Sequence, residues 1–155
     1  MKWAAVAFPM TWLLAASPPA AGLSAAAALV PFEVAGDAVE RPLGGLKGNA
    51  ERGRGIVADR RGGNCLICHA VPSIAEPFQG RIGPSLAGVA KRLTAGQMRL
   101  RLIDQSQLNP KTLMPPYYRT ENLNDVAPEY VGKPILEAQE IEDVLAFLAT
   151  LQERK

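Results

Sequence analysis

Both cysteines and the only histidine of this 155-residue chain fall in one pentapeptide, Cys65-Leu66-Ile67-Cys68-His69. No other feature constrains the chain as strongly. Cysteines three apart sit poorly for a disulfide in regular structure. A structural zinc site needs four ligands, and a chain with no further Cys or His could close one only as a homodimer. A thioredoxin-type dithiol expects strand–helix alternation around it, and no convincing period-two run is present. The use that consumes all three residues is covalent attachment of haem, for which Cys-x-x-Cys-His is the signature. On one turn, two thiols reach two vinyl groups of the same porphyrin, and the next residue turns its imidazole to the iron. Cys65, Cys68 and His69 are therefore read as holding one haem c.

The beginning of the chain agrees with chemistry carried out outside the cytoplasm. Lys2 is followed by an apolar stretch from Trp3 to Leu14 and then by small residues, the order of a secretory signal. Small residues at −3 and −1 fit cleavage after Ala26, Ala27 or Ala28, with Ala21 an earlier option. The apolar core is shorter than the ~20 residues needed to span a bilayer, and Pro9, Pro18 and Pro19 interrupt its extension. Residues 1–28 are read as a cleaved signal peptide, which makes the mature protein periplasmic, with no membrane span after processing.

The mature chain reads as all-α. Residues 29–48 are punctuated by Gly and Pro and form an expected extended N-terminal arm. The domain proper, 49–155, opens with "NAERGRGIVADR", a helix with Asn49 as N-cap. Gly53 and Gly55 weaken that helix by ~1 kcal/mol each relative to Ala, unless another helix must pass close by. In "RLTAGQMRLRLIDQ", Thr94 and Gln97 have the capping-box spacing, flanked by Leu93 and Met98 as a hydrophobic staple. In "EAQEIEDVLAFLATLQ", Ile141, Val144, Leu145, Leu148 and Leu151 share one face at helical spacing. Pro134 precedes that helix, and its first turn is acidic, as the helix dipole favours.

Iron held by His69 needs a sixth ligand or an open face. In the mature chain the candidates are Met98, Met114, lysine and tyrosine. Met98 sits at a staple position, where packing accounts for it. Met114 lies in "LNPKTLMPPYYR", where Pro110, Pro115 and Pro116 exclude helix and strand and present the side chain from a stiffened loop. Core gap-filling is the competing use; the contrast favours Met114 as the axial ligand.

These residues resemble a mono-haem class I cytochrome c: "CLICH", then "GPSL", then "LMPP", then an apolar C-terminal helix. That family crosses its terminal helices tightly, which would account for Gly53 and Gly55. It also implies that Pro84 offers its carbonyl to the second ring nitrogen of His69, fixing the tautomer. Across about residues 50–152, "GPSLAGVAKR", "NPKTLMPPYYR" and "VGKPILEAQEIEDVLAFLATL" resemble the SoxX family, small cytochrome subunits of the thiosulfate-oxidising Sox system. The resemblance implies a heterodimer with a SoxA-like cytochrome subunit whose own haem carries the active site. It also implies transient contact with the SoxYZ carrier protein, and a downstream cytochrome that takes the electrons.

The residues fit that division of labour. With both thiols and the histidine committed, no catalytic residue is left to hold sulfur or act as a general base of the usual kind. The chain is expected to pass electrons within an L-cysteine S-thiosulfotransferase complex. A free-standing electron shuttle and a haem subunit of another periplasmic dehydrogenase are the alternatives. A formal charge of +2 gives no argument for nucleic acid. Charge is uneven, however: 13 basic and 4 acidic residues between Arg41 and Arg119, against 3 basic and 8 acidic from Thr120 onward. Ordinary solvated surface explains this; steering of an acidic partner, or pairing of Arg81 and Arg119 with haem propionates, is the sharper reading. Tyr117 and Tyr118 could donate to a propionate or simply pack.

Overall fold

Gly53 decides how the two ends of the domain meet. In the computed structural model, which describes Met1 and residues 29–152, the first helix α1 (Ala50–Ala58) crosses the last. A Cβ placed on Gly53 would come within 2.5 Å of the carbonyl carbon of Asp143 and 2.9 Å of the Val144 nitrogen. Only a hydrogen fits there. Gly55 faces open space, so the expectation of close approach holds at one of the two glycines and fails at the other, which points away from the crossing. Residues 2–28, read above as most of the export signal, lie outside the described residues.

Between the terminal helices come a short α2 (Val89–Arg92) and α3 (Ala95–Asp104); α4 (Ala138–Leu148) closes the chain. Single 3₁₀ turns lie at Leu43–Gly45, Cys65–Ile67, Gln105–Gln107 and Pro128–Tyr130. Among the described residues there is no strand, only an isolated bridge between Ala35 and Ala38. The caps act as the sequence implies. Asn49 Oδ1 accepts from the Glu51 and Arg52 amides at 3.0 Å each. Thr94 and Gln97 bond reciprocally at 3.1 and 2.9 Å. Ile141, Val144, Leu145, Leu148 and Leu151 are all buried, together with Val57, Leu66, Leu100 and Ile103.

Two consecutive carboxylates of α4 are buried as well, each held by an arginine. Arg99 grips Glu142 in a bidentate pair at 2.7 and 2.9 Å, with both side chains no more than 5% exposed. Arg52 grips Asp143 at 2.6 and 2.9 Å. Burial alone would raise the Asp143 carboxyl, but bonds from Arg52, Asn49 and Gln139 outweigh it and hold it below the ordinary range. The surface reading of charge is thus corrected in part: Glu142 and Asp143 lie inside the fold.

The N-terminal arm is extended but not free. Val39 and Leu43 are 1% exposed. The Val39 amide donates to Gly96 O at 3.0 Å, Arg99 donates to Val39 O at 2.6 Å, and the Leu43 amide donates to Glu142 at 2.9 Å. Ala38, Val39 and Leu43 therefore belong to the core, while Glu40, Arg41 and Pro42 between them are exposed; the backbone of Val39 and Leu43 completes the hydrogen bonds of the buried Arg99–Glu142 pair.

Candidate functional site

The pentapeptide forms a closed turn. Asn64 enters it with φ +46°, a conformation that Asn tolerates better than most residues, and the Cys68 and His69 amides both donate to Cys65 O, at 3.2 and 2.9 Å. Backbone bonds from Gly80 to Leu66 O (2.7 Å) and from Gly83 to Cys68 O (2.8 Å) fasten the following loop against it. His69 Nδ1 lies 2.7 Å from the Pro84 carbonyl. A carbonyl only accepts, so Nδ1 carries a proton, and in the neutral ring this leaves the lone pair on Nε2. Gly83 makes room for this ring: a Cβ there would stand 2.6 Å from Nδ1 and 2.8 Å from Nε2. Sequence reasoning singled out Pro84 and passed over Gly83, although the signal was the glycine immediately before that proline.

Met114 faces the turn from a loop pinned to α3. Tyr117 and Tyr118 amides donate to Leu102 O and Ile103 O at 3.1 and 3.2 Å, and the Leu136 amide donates to Tyr117 O at 3.0 Å. The Tyr117 hydroxyl donates to Gly63 O at 2.8 Å, tying the methionine loop to the stretch just before Cys65. Two adjoining cavities, of about 510 and 360 Å³, share Cys65, His69, Pro84, Thr112, Met114 and Tyr117 in their walls. Both volumes fall within the ~300–1,000 Å³ typical of cofactor pockets. Val57, Leu102, Val144 and Leu148 close the smaller one from α1, α3 and α4, so the helical core is its back wall.

Met98 is 4% exposed and lines the smaller cavity, which its assignment to packing alone did not foresee. Gln105 lines the same cavity, and its buried side-chain oxygen has no hydrogen-bond partner among the described residues. No sequence pattern distinguishes this glutamine from a surface one.

Cys65 and Cys68 are not joined in a disulfide. Burial pushes the Cys65 thiol up to about 11, against the opposing effect of a hydrogen bond with Tyr117. Burial also raises the Tyr117 hydroxyl. A thiol of that kind is protonated at neutral pH and lacks the lowered pKa of a redox-active dithiol. Among the described residues no group of three or more His, Cys, Asp or Glu converges. The donor set instead fits a group that takes two thioethers, an imidazole nitrogen and a thioether sulfur.

The other candidates are placed elsewhere. Arg119 pairs with buried Asp104 at 2.8 Å, and the Tyr118 hydroxyl accepts from the Val30 amide at 2.8 Å; neither lines the shared cavities. Arg81 is exposed and lines neither cavity. The basic residues on the larger cavity are Arg60, Arg61 and Lys111, which the charge count included without singling out.

Terminal helices crossed at a glycine, a Cys-x-x-Cys-His turn and a loop methionine across a shared cavity define a cytochrome of the class I c fold. No family model matches the chain, and a search of curated proteins finds no match. Among solved structures the chain is similar to a chain in the crystal structure of SoxXA from P. pantotrophus. The identity is 35% and the TM-score 0.72, covering 79% of this chain and 95% of that one. The chain belongs to the SoxX family of cytochrome subunits.

Proposed function

We propose that this chain is the electron-transfer subunit of a SoxXA-type complex in the periplasm. It would carry one haem c bound through Cys65 and Cys68, with His69 and Met114 as the residues that would ligate its iron. The observation that carries this reading is the shared cavity: His69, its Nε2 left available by the bond to Pro84, and Met114 stand in the same walls as the buried Cys65. When bound, the haem supplies reversible one-electron acceptance. The rest is the work of the chain's own residues. Pro84 and Gly83 hold the imidazole in one tautomer and orientation, which favours ligation through Nε2. The Tyr117–Gly63 bond holds the methionine loop to the turn. The apolar walls from α1, α3 and α4 exclude water from the back of the site. Ligation by Met114 would raise the potential relative to a second histidine, which suits an acceptor.

The complex as a whole would join thiosulfate to a cysteine of the SoxYZ carrier, releasing an electron pair and the thiol proton. Sulfur binding falls to the SoxA-like partner, because this chain's thiols and histidine are committed. A downstream cytochrome removes the electrons. Reconstitution tests this: the purified chain alone should not conjugate thiosulfate to a protein thiol. With a SoxA-like subunit, SoxYZ and an oxidised cytochrome acceptor it should support the reaction. Conjugation by the chain alone would reveal a catalytic site in it and overturn the reading.

A further inference from the structure

The segment that presents Met114 is tied down only at its ends. Pro110, Pro115 and Pro116 bring no backbone donor to it. Its own bonds are local: the Lys111 amide donates to Asn109 Oδ1 at 3.1 Å and the Thr112 amide to Asn109 O at 3.0 Å. The Met114 amide donates to Thr112 Oγ1 at 3.1 Å. Among the described residues, no hydrogen bond joins residues 110–116 to any part of the fold beyond Asn109. Tyr117 ends that isolation. Its amide and carbonyl are held by Leu102 and Leu136, and its hydroxyl donates to Gly63 O at 2.8 Å. Of these three bonds, only the hydroxyl's reaches the approach to the Cys65–His69 turn. Gly63 is itself fixed, because α1 closes on it: a Cβ there would stand 2.6 Å from Ile56 O. Cys65 Sγ lies 3.6 Å from the same Gly63 carbonyl. Tyr117 is 6% exposed and lines both cavities. Its neighbour Tyr118 is buried to a similar degree, but its hydroxyl bonds to the arm at Val30 and it lines neither cavity.

Resting on the reading that Met114 ligates the iron, we infer that the Tyr117 hydroxyl is the latch that keeps competing small ligands from taking the place of Met114. Swinging Met114 aside pulls on Tyr117 and breaks its bond to Gly63, which leaves a buried carbonyl unpaired. The ligands kept out are small molecules with a nitrogen or sulfur donor, and a protein that works beside thiosulfate meets sulfur anions of that class. Tyr117 acts as a positioning residue, through the loop and not by contact with the competing ligand.

Spectral titration of the oxidised, haem-loaded mature chain with imidazole and with azide tests this. The apparent affinity of either probe scales with the fraction of molecules whose loop is open. Tyr117→Phe keeps the ring and removes the hydroxyl, so both probes should bind about tenfold more tightly, the worth of one such bond. The near-infrared sulfur-to-iron band should persist in the probe-free variant. Tyr118→Phe removes a similarly buried hydroxyl and its bond to the arm, and should bind both probes like the parent. In the parent itself, saturating imidazole should speed hydrogen exchange of the Tyr117 and Leu136 amides more than that of the α4 amides. Parent-like affinities in Tyr117→Phe, or equal tightening in Tyr118→Phe, would overturn the inference and leave Met114 ligation standing. So would Tyr117 and Leu136 amides that stay protected under imidazole, a result that depends on no variant. A parent chain without the band would overturn Met114 ligation, and the inference with it.

Discussion

Replacing Gly53 or Gly55 by alanine adds the same methyl group to the same helix, yet the structure demands opposite outcomes. At Gly55 the new Cβ meets nothing within 4 Å, so the exchange simply removes the backbone-entropy penalty of glycine, a gain of ~0.5–1 kcal/mol. At Gly53 the same gain is available, but the Cβ would lie 2.5 Å from the Asp143 carbonyl carbon, roughly 1 Å inside ordinary contact. The obstacle is backbone, which cannot rotate away. Relief requires α1 to lift from α4, which unpacks Val57 and Val144, both no more than 1% exposed, and lengthens the Arg52–Asp143 bonds. Overpacking of this kind costs ~1–3 kcal/mol or more, so Gly53→Ala should be destabilised by about 2 kcal/mol net. The two variants then differ by about 3 kcal/mol, roughly 10 °C in Tm for a domain of this size. Urea and thermal unfolding of the haem-loaded variants, followed by far-ultraviolet circular dichroism, read this directly. A Gly53→Ala protein as stable as the parent, or a Gly55→Ala protein as damaged as Gly53→Ala, would refute the crossing geometry.

Met114→Ala should abolish the weak near-infrared sulfur-to-iron band of the oxidised protein. Met98→Ala should keep the band and cost ~2–5 kcal/mol of stability; the reverse pattern in absorption spectra would exchange their roles. Arg99→Met should cost ~3–5 kcal/mol by leaving Glu142 buried and unpaired, and Arg99→Met with Glu142→Leu should recover part of it; denaturant midpoints of the single and double variants measure both. The Asp143 carboxyl titrates below its unfolded value, so its stabilisation is present above pH ~4 and is lost as pH falls through the lowered folded value. Asp143→Asn should therefore be less stable near neutrality and show a flatter loss of stability below pH ~4 in acid unfolding.

Local signals in the sequence carried most of the architecture. The Asn49 cap, the Thr94–Gln97 box and the apolar face of α4 each depend on residues within a few positions of one another, and such patterns survive without knowledge of the fold. The pentapeptide was legible for the same reason. What the sequence hid depends on distant partners. Nothing near Glu142 or Asp143 reveals that Arg99 and Arg52 neutralise them inside the protein. A Gly/Pro-punctuated arm looks detachable until Leu43 and Val39 are seen to bond to that buried pair. Gly53 and Gly55 are indistinguishable in sequence because only the direction of the missing Cβ separates them. Gln105 gives no signal at all, since its place on the wall of a cavity is set by the packing of distant elements.

The central claim is that the Cys65–His69 turn holds one haem covalently. Mass spectrometry of the tryptic peptide 62–81, from protein exported by its native host, tests it most directly. The account predicts a single peptide heavier by one haem, with both cysteines resistant to alkylation after denaturation and reduction. In Cys65→Ala and Cys68→Ala variants the haem should be held by one thioether or lost. Recovery of the unmodified peptide with both cysteines open to alkylation, from protein that nonetheless carries its native visible spectrum, would contradict the account.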